Sequence, residues 1–479
     1  MEKIKASIRN FFLDENLYVS ALLALLFLSL LVKLEVPTLP HHDDLAHACL
    51  GKMILDTGDW LTMHEGELVS FLKPPLYFWA EAVFFKLFGF TDYAARLPAA
   101  LSGFGTLLLA FFISKRLFGM KEAVATLLVL ATSLFFWKYS RKAMLDVPTA
   151  FSSALAVYFF IRAEFEKKNG FYLLFGAAAA AGYYFKAIQG LYPLFIFPLY
   201  YLATGQFKKL FGPYFLGGYL TAFSLIALWA VPEYLRYGNE FLYSQSALGP
   251  IINRGLEGGT NPFFKPLLAL MGLNLPWGIF NLYGVWLFAS GARTEETGRA
   301  KILILAWFFT VMLILSASKT FYIRYLLVAM IPFSIMGGAA LAKLLNEKYY
   351  DYAKKAVFLF VAVLFLKFSI FPLSPDSDKG TGYAGLYRVI NSAGIDPERV
   401  AVYKERFYIL NNGLSYYSGI IPKRRVKDAK ELAETLSPGE SYVSHYRDFH
   451  ELLNDPSLKN RLNLLASDRK NWALFEEKK

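Results

Sequence analysis

The stretch ILILAWFFTVMLILSA (residues 302–317) contains no charged side chain, and after SKTF the chain continues as YIRYLLVAMIPFSIMGGAAL (322–341), where Arg324 is the single charge. Apolar runs of about 17 to 25 residues match the hydrocarbon thickness a helix must cross, and lipid leaves backbone groups no partner outside a helix. Comparable spans recur at 17–36, 95–114, 122–138, 147–163, 171–186, 188–204, 211–231, 264–289 and 355–373. Together they predict an α-helical polytopic membrane protein with eleven transmembrane helices. Composition agrees: 56% of the 479 residues are apolar or aromatic and 18% are charged, against about 25% charged in soluble domains. Disorder and a disulfide scaffold are excluded, since Cys49 is the single cysteine and reads as a small buried hydrophobe.

The net charge of +12 is spread between the spans and forms no basic stripe, so it predicts membrane orientation and no nucleic-acid partner. MEKIKASIRN carries Lys3, Lys5 and Arg9, and the apolar run that begins near residue 17 has no small-residue cleavage site behind it, as expected of a retained first helix. With a cytoplasmic start, Lys115, Arg116, Lys121, Arg162, Lys167, Lys168, Lys208, Lys209, Arg293, Arg299, Lys301 and the lysines at 343–355 all fall inside. Residues 37–94, 232–263 and the C-terminal tail are then outside. At SPDSDKGTG, from residue 374, the composition turns soluble. The expected division is a transmembrane domain over 1–373, with its outer loop at 37–94, and a small α/β domain over 374–479.

The outer loop holds the candidate chemistry. Four of the six histidines, His41, His42, His47 and His64, lie in it, beside Asp43 and Asp44 at the start of a predicted helix that places Asp43 and His47 four residues apart on one face. Two readings stand: a solvated helix cap, whose carboxylates suit the positive helix end, or an acid/base or metal site at the membrane surface. KPPLYFW (73–79) predicts an amphipathic interfacial helix. Its aromatics read as an interfacial belt, with Trp60, Tyr77 and Trp79 as candidates for stacking on a sugar. A second carboxylate, Asp146 in YSRKAMLDVPTAF, stands at the edge of the fourth span, either paired with Arg141 or Lys142 or used for function. Cations that defy the inside bias, namely Lys73, Lys138, Arg141, Lys142, Lys186, Arg254, Lys265, Lys319 and Arg324, map to the outer face. They point to a phosphate-bearing lipid as much as to snorkelling toward headgroups.

The run DDLAHACLGKMILDTGDWLTMHEGELVSFLKPPLYFWAEAVFFKLFGFTDYAARLPAAL resembles the first periplasmic loop of GT-C glycosyltransferases related to lipid A aminoarabinose transferase and the protein O-mannosyltransferases. RKAMLDVPTAF, GYYFKAIQGLYPL, LPWGIF and SKTFYIRYLLVAMIP resemble later landmarks in the same order, so the likeness covers about residues 10 to 345. It implies inverting transfer of a sugar from a polyprenyl phosphate donor to a lipid or protein acceptor, on the periplasmic face of a bacterial inner membrane. By position, Asp43 matches the principal loop aspartate, Asp44 its acidic neighbour, Lys73 the lysine of the Lys-Pro-Pro motif, Asp146 the second aspartate and Lys186 the lysine after the fifth span. Lys73, Lys186, Lys319, Arg324 and Arg141 are the implied donor-phosphate ligands. The chain departs from the aminoarabinose subgroup at Ala46 and His47, where an Arg and a Tyr are usual, at Leu72, where a Glu is usual, and near Gln245, where a His is usual.

Polyprenyl phosphate can leave without a general acid if cations take up its charge. An acceptor hydroxyl needs a base, for which Asp43 is the candidate, whereas a lipid phosphate acceptor is already ionised. Leu72 cannot bind a metal, so either the site works without one or a divalent cation has moved to Asp43, His42 and His47 or bridges Asp43 and the donor phosphate. A transporter or flippase of lipid-linked sugars would use the same cations without chemistry, and an assembly protein would use its tail to bind partners. Carboxylates in a surface helix favour the enzyme, since transporters place key charges near the bilayer midplane.

Overall fold

The computed structural model describes residues 14–36, 39, 43–65, 68–71, 73–245, 264–291, 295–318, 321–370, 385–386, 388–404, 414, 416–417, 424–467 and 472–478. Contacts divide the chain into two units: Met1–Lys33, Phe71–Tyr77 and Pro98–Leu373 form one, and Leu34–Ser70, Phe78–Leu97 and Ser374–Lys479 the other.

The first unit is helical. Among the described residues each apolar span read from the sequence overlaps helix, but the count of eleven crossings is not reproduced. Among the described residues five helices are long and apolar enough to cross a membrane, Asp92–Leu117, Phe171–Leu191, Pro213–Tyr237, Thr297–Ala317 and Ile323–Leu344, and six if one bent pair is a single span. That pair, Met120–Ala131 and Leu134–Ser140, turns by 70°. Ser133 starts its second half by accepting the Phe136 amide, as a helix cap does. The span at 264–289 is likewise split into Lys265–Leu273 and Gly278–Ser290, with Pro276, which has no amide hydrogen to donate, in the break. Glu15–Leu31 and Pro193–Ala203 are apolar but short. Hydropathy registers apolar length and is blind to such breaks.

Small residues set the helix crossings. Asp146–Glu164 packs on Phe171–Lys186, which packs on Pro213–Tyr237. A Cβ added to Gly176 would lie 1.9 Å from the Gly218 carbonyl oxygen, so these two backbones touch directly, as small residues permit between membrane helices.

The second unit contains the helix Asp43–Thr57, the hairpin β1 (Met63–Glu65) and β2 (Leu68–Ser70), most of the helix Leu76–Phe88, and a five-stranded sheet. Its strands are β3 (Val400–Tyr403), β4 (Arg424–Val426), β5 (Ser441–His445), β6 (Leu462–Ser467) and β7 (Trp472–Glu477), in the order β4-β3-β5-β7-β6. β3 runs parallel to β4 and β5, and β7 is antiparallel to β5 and β6. The sheet is filled on both faces, by Val400, Val402, Val443 and Leu474 on one and Ala401, Tyr442, Phe449 and Phe475 on the other. The expected α/β character of the C-terminal region is therefore present.

Candidate functional site

Asp146 opens the helix Asp146–Glu164 and is 4% exposed, so its carboxylate sits at the positive end of the helix dipole. Burial at that depth needs a compensating charge. Lys186 supplies it, as an ion pair and hydrogen bond to Oδ1, and Arg324 adds its Nε at 3.6 Å from Oδ2. Neither partner is near in sequence, and the local alternative, a pair with Arg141 or Lys142, is not the one formed. Lys186 reaches this point because the helix Phe171–Lys186 ends there and folds back through a 3-10 turn over Ala187–Leu191. The reversal brings Gly190 so close to Gly182 that a Cβ on Gly190 would lie 1.8 Å from the Gly182 carbonyl oxygen, and Ala187 takes a positive φ of 50°. Strained backbone of this kind costs about 1–3 kcal/mol and persists where the surroundings hold it.

Aromatic faces complete the cluster. The Lys186 ammonium lies 4.1 Å from the centroid of Tyr325, and the Arg324 guanidinium 4.7 Å from that of Tyr322. A pocket opens here, lined by Asp146, Thr149, Lys186, Gln189, Tyr192, Arg324, Tyr325 and Val328. Two cations gathered on one carboxylate and on aromatic rings make a cluster of the kind that can hold an anion.

Arg141 does something else. Its Nη1 donates to the carbonyls of Ser29 and Leu30 at 2.7 and 2.9 Å, and its Nη2 to those of Val32 and Lys33 at 2.7 and 3.1 Å. The guanidinium also lies 4.5 Å from the Phe368 ring centroid. It closes the C-terminal end of the helix Glu15–Leu31, whose last carbonyls have no intrahelical donor. These hydrogen bonds give Arg141 a structural role at that helix end.

In the outer loop, a helix is described over Asp43–Thr57, with Asp43 and Asp44 in its acidic first turn. Asp44 and His47 are 3% and 4% exposed, and the His47 ring packs 5.8 Å from that of Phe78. Lys73 precedes the helix Leu76–Phe88, which starts directly after Pro75. Among the described residues no three His, Cys, Asp or Glu side chains come together as a metal site. His41, His42, Leu72, Arg254 and Lys319 lie outside the described residues, as does the side chain of Gln245.

Sequence reasoning missed Glu81. It is fully buried, and neither carboxylate oxygen has a hydrogen-bond partner among the described residues. Burial, and then the negative charge of Asp44, push its carboxyl well above the usual carboxylate range. Its only signal was an acidic residue among the apolar ones of YFWAEAVFF.

Residues 72–231 match the family described as dolichyl-phosphate-mannose-protein mannosyltransferase. The undecaprenyl phosphate-alpha-4-amino-4-deoxy-L-arabinose arabinosyl transferase of Aeromonas hydrophila is 26% identical over 316 residues, 64% of this chain and 56% of that protein. A protein of Aquifex aeolicus is 26% identical over 343 residues, 69% of this chain and 66% of its own. The chain thus spans less than two thirds of these relatives. Among solved structures, ArnT from Cupriavidus metallidurans bound to undecaprenyl phosphate superposes with a TM-score of 0.78 at 18% identity, over 96% of this chain and 97% of that one. The archaeal oligosaccharyltransferase AglB from Archaeoglobus fulgidus gives 0.55 at 12%, over 90% and 69%. The fold is that of the GT-C membrane glycosyltransferases. The sequence similarities, to the mannosyltransferase family over 72–231 and to an arabinosyl transferase over 316 residues, run in the same direction as the resemblance of the loop.

Proposed function

We propose that the protein is an inverting glycosyltransferase that moves a sugar from a polyprenyl phosphate, of the undecaprenyl class, to lipid A or another envelope glycolipid on the periplasmic face of a bacterial inner membrane. The observation that carries the reading is the convergence of Lys186 and Arg324 on buried Asp146 beside a small pocket. The likeness to an ArnT bound to undecaprenyl phosphate, and to relatives named for aminoarabinose transfer, supports the donor class.

In this mechanism an acceptor oxygen attacks the anomeric carbon while the bond from that carbon to the phosphate oxygen breaks, and the leaving polyprenyl phosphate keeps the electron pair. Lys186 and Arg324, with Lys73 and Lys319, take up the charge that grows on the phosphate. Asp146 holds Lys186 and Arg324 in place. Asp43, backed by Asp44, accepts the proton of a hydroxyl acceptor, or orients an acceptor that is already ionised. A protein acceptor is the second reading, favoured by the mannosyltransferase match over 72–231.

Purified protein incubated with a panel of polyprenyl phosphosugars and with lipid A, then read by mass spectrometry, tests the proposal. A glycosylated lipid A and released polyprenyl phosphate are expected. Transport of a phosphosugar across proteoliposomes with no product formed would instead establish the flippase alternative.

A further inference from the structure

Tyr417, in the C-terminal part of the chain, belongs to a polar cluster of the second unit that the mechanism leaves unused. Its phenol donates to the Asp92 carboxylate, 3.1 Å from Oδ1 and 3.2 Å from Oδ2, and accepts the Leu39 amide at 3.0 Å. The same amide also lies 3.2 Å from Asp92 Oδ2. One helical turn beyond Asp92, Arg96, 3% exposed, donates Nη1 to the Leu34 carbonyl at 2.8 Å. Next to Tyr417, the Tyr416 ring packs 6.0 Å from that of Phe85.

Three pieces far apart in sequence are joined in this way: the start of the outer loop at Leu34 and Leu39, its end at Asp92 and Arg96, and the C-terminal segment at Tyr417. Leu39 itself is 1% exposed, and four residues after it the helix carrying Asp43 and Asp44 begins. A backbone amide held by two acceptors leaves the chain little freedom at that point. Burial pushes the Tyr417 hydroxyl up, so it remains a phenol and keeps its proton to donate.

We propose that Tyr417 is a positioning residue: by closing Leu39 onto Asp92 it fixes the start of the helix Asp43–Thr57, and so the C-terminal region sets the orientation of Asp43. The inference rests on the reading of Asp43 as the group that acts on the acceptor. It assigns the C-terminal segment a part in transfer in addition to its fold.

Full-length Tyr417→Phe removes one hydroxyl and keeps the ring. Expected are a kcat lowered by about tenfold to a hundredfold, the range a sub-ångström to 1 Å misplacement produces, and a donor KM within about twofold of wild type. Amide hydrogen exchange over residues 43–57 should quicken, with little change in Tm. Asp92→Asn, whose amide oxygen still accepts the phenol, should retain most of the activity, while Asp92→Leu should reproduce Tyr417→Phe, and the pair combined should be no worse than Asp92→Leu alone. Unchanged exchange over 43–57 in Tyr417→Phe, or a loss of kcat that merely tracks loss of folded protein, overturns the proposal. If wild-type protein transfers no sugar, the functional reading fails, whereas the exchange measurement still decides whether Tyr417 fixes this helix.

Discussion

Gly51 and Glu81 face each other across two outer-loop helices, so closely that a Cβ at position 51 would lie 2.7 Å from both the Cβ and Oε2 of Glu81 and 3.3 Å from the Phe85 ring. Only the missing side chain at 51 lets a carboxyl be buried there. Gly51→Ala is therefore expected to destabilise the protein by about 1–3 kcal/mol, the usual cost of overpacking, although alanine is the better helix former. A Tm equal to or above wild type, measured in the same detergent, would contradict this contact.

Stability should depend on pH through Glu81. Its folded carboxyl holds its proton well above the usual carboxylate range, because of burial and then Asp44, whereas the unfolded chain releases it at the ordinary value. Between those two values folding takes up a proton, so this contribution is complete below the ordinary carboxylate range and is lost as pH rises toward the folded value. Glu81→Gln has no such proton. Its Tm relative to wild type should be flat in acid and climb with pH across the window, which a series of melts in matched buffers would show.

Asp146 and Lys186 should be separable by a double variant. Breaking a buried pair costs about 3–5 kcal/mol because a charge is left uncompensated, while replacing both partners can be nearly neutral. Asp146→Asn and Lys186→Met are each expected to lower Tm, and the combination to recover much of it. Sugar transfer should fall in all three, since Lys186→Met removes a proposed phosphate ligand and Asp146→Asn removes the group that holds Lys186 and Arg324 in place. Additive losses of stability would show that the two side chains do not act as a pair.

Arg141 is expected to matter for stability and not for donor affinity. Arg141→Ala deletes charged hydrogen bonds to a helix end, worth about 1.5–3 kcal/mol where such a bond is made. Arg141→Lys should recover little, because one ammonium cannot fork across four carbonyls. Binding of a polyprenyl phosphate by the folded fraction, followed by fluorescence competition, should be unchanged, and a large loss would return Arg141 to the phosphate site.

Asp43→Asn should cut transfer by a hundredfold or so, the low end of what a positioned base contributes, with Tm unaffected, since Asp43 is only half-buried at a helix start. If the acceptor is a lipid phosphate the loss should be smaller. Wild-type turnover of a hydroxyl acceptor by this variant would remove Asp43 from the chemistry.

How far these sites could be read in advance follows from the range of the forces involved. Membrane insertion, the starts of the helices at Asp43 and after Pro75, and the soluble character of the C-terminal region depend on local properties, namely apolar length, a missing amide hydrogen and local charge density, and each is legible in the residues themselves. Whether an apolar span stays one helix is already less local: at Thr132 and Ser133 the break is held by the Trp137 indole on the Ala131 carbonyl and the Trp277 indole on the Thr132 hydroxyl. Partner choice is wholly a matter of tertiary structure. Arg141 stands closer in sequence to Asp146 than Lys186 does, yet a helix end 108 to 112 residues away takes donors from it, while a glycine-backed reversal brings Lys186 to the carboxylate. A buried charge is satisfied by whichever opposite group the packing presents, and packing is decided by the whole chain at once. For the same reason the importance of Glu81 and Tyr417 has no local signature: an acidic residue in an aromatic helix and a tyrosine in a polar tail acquire theirs only from Gly51, Asp44, Asp92 and Leu39.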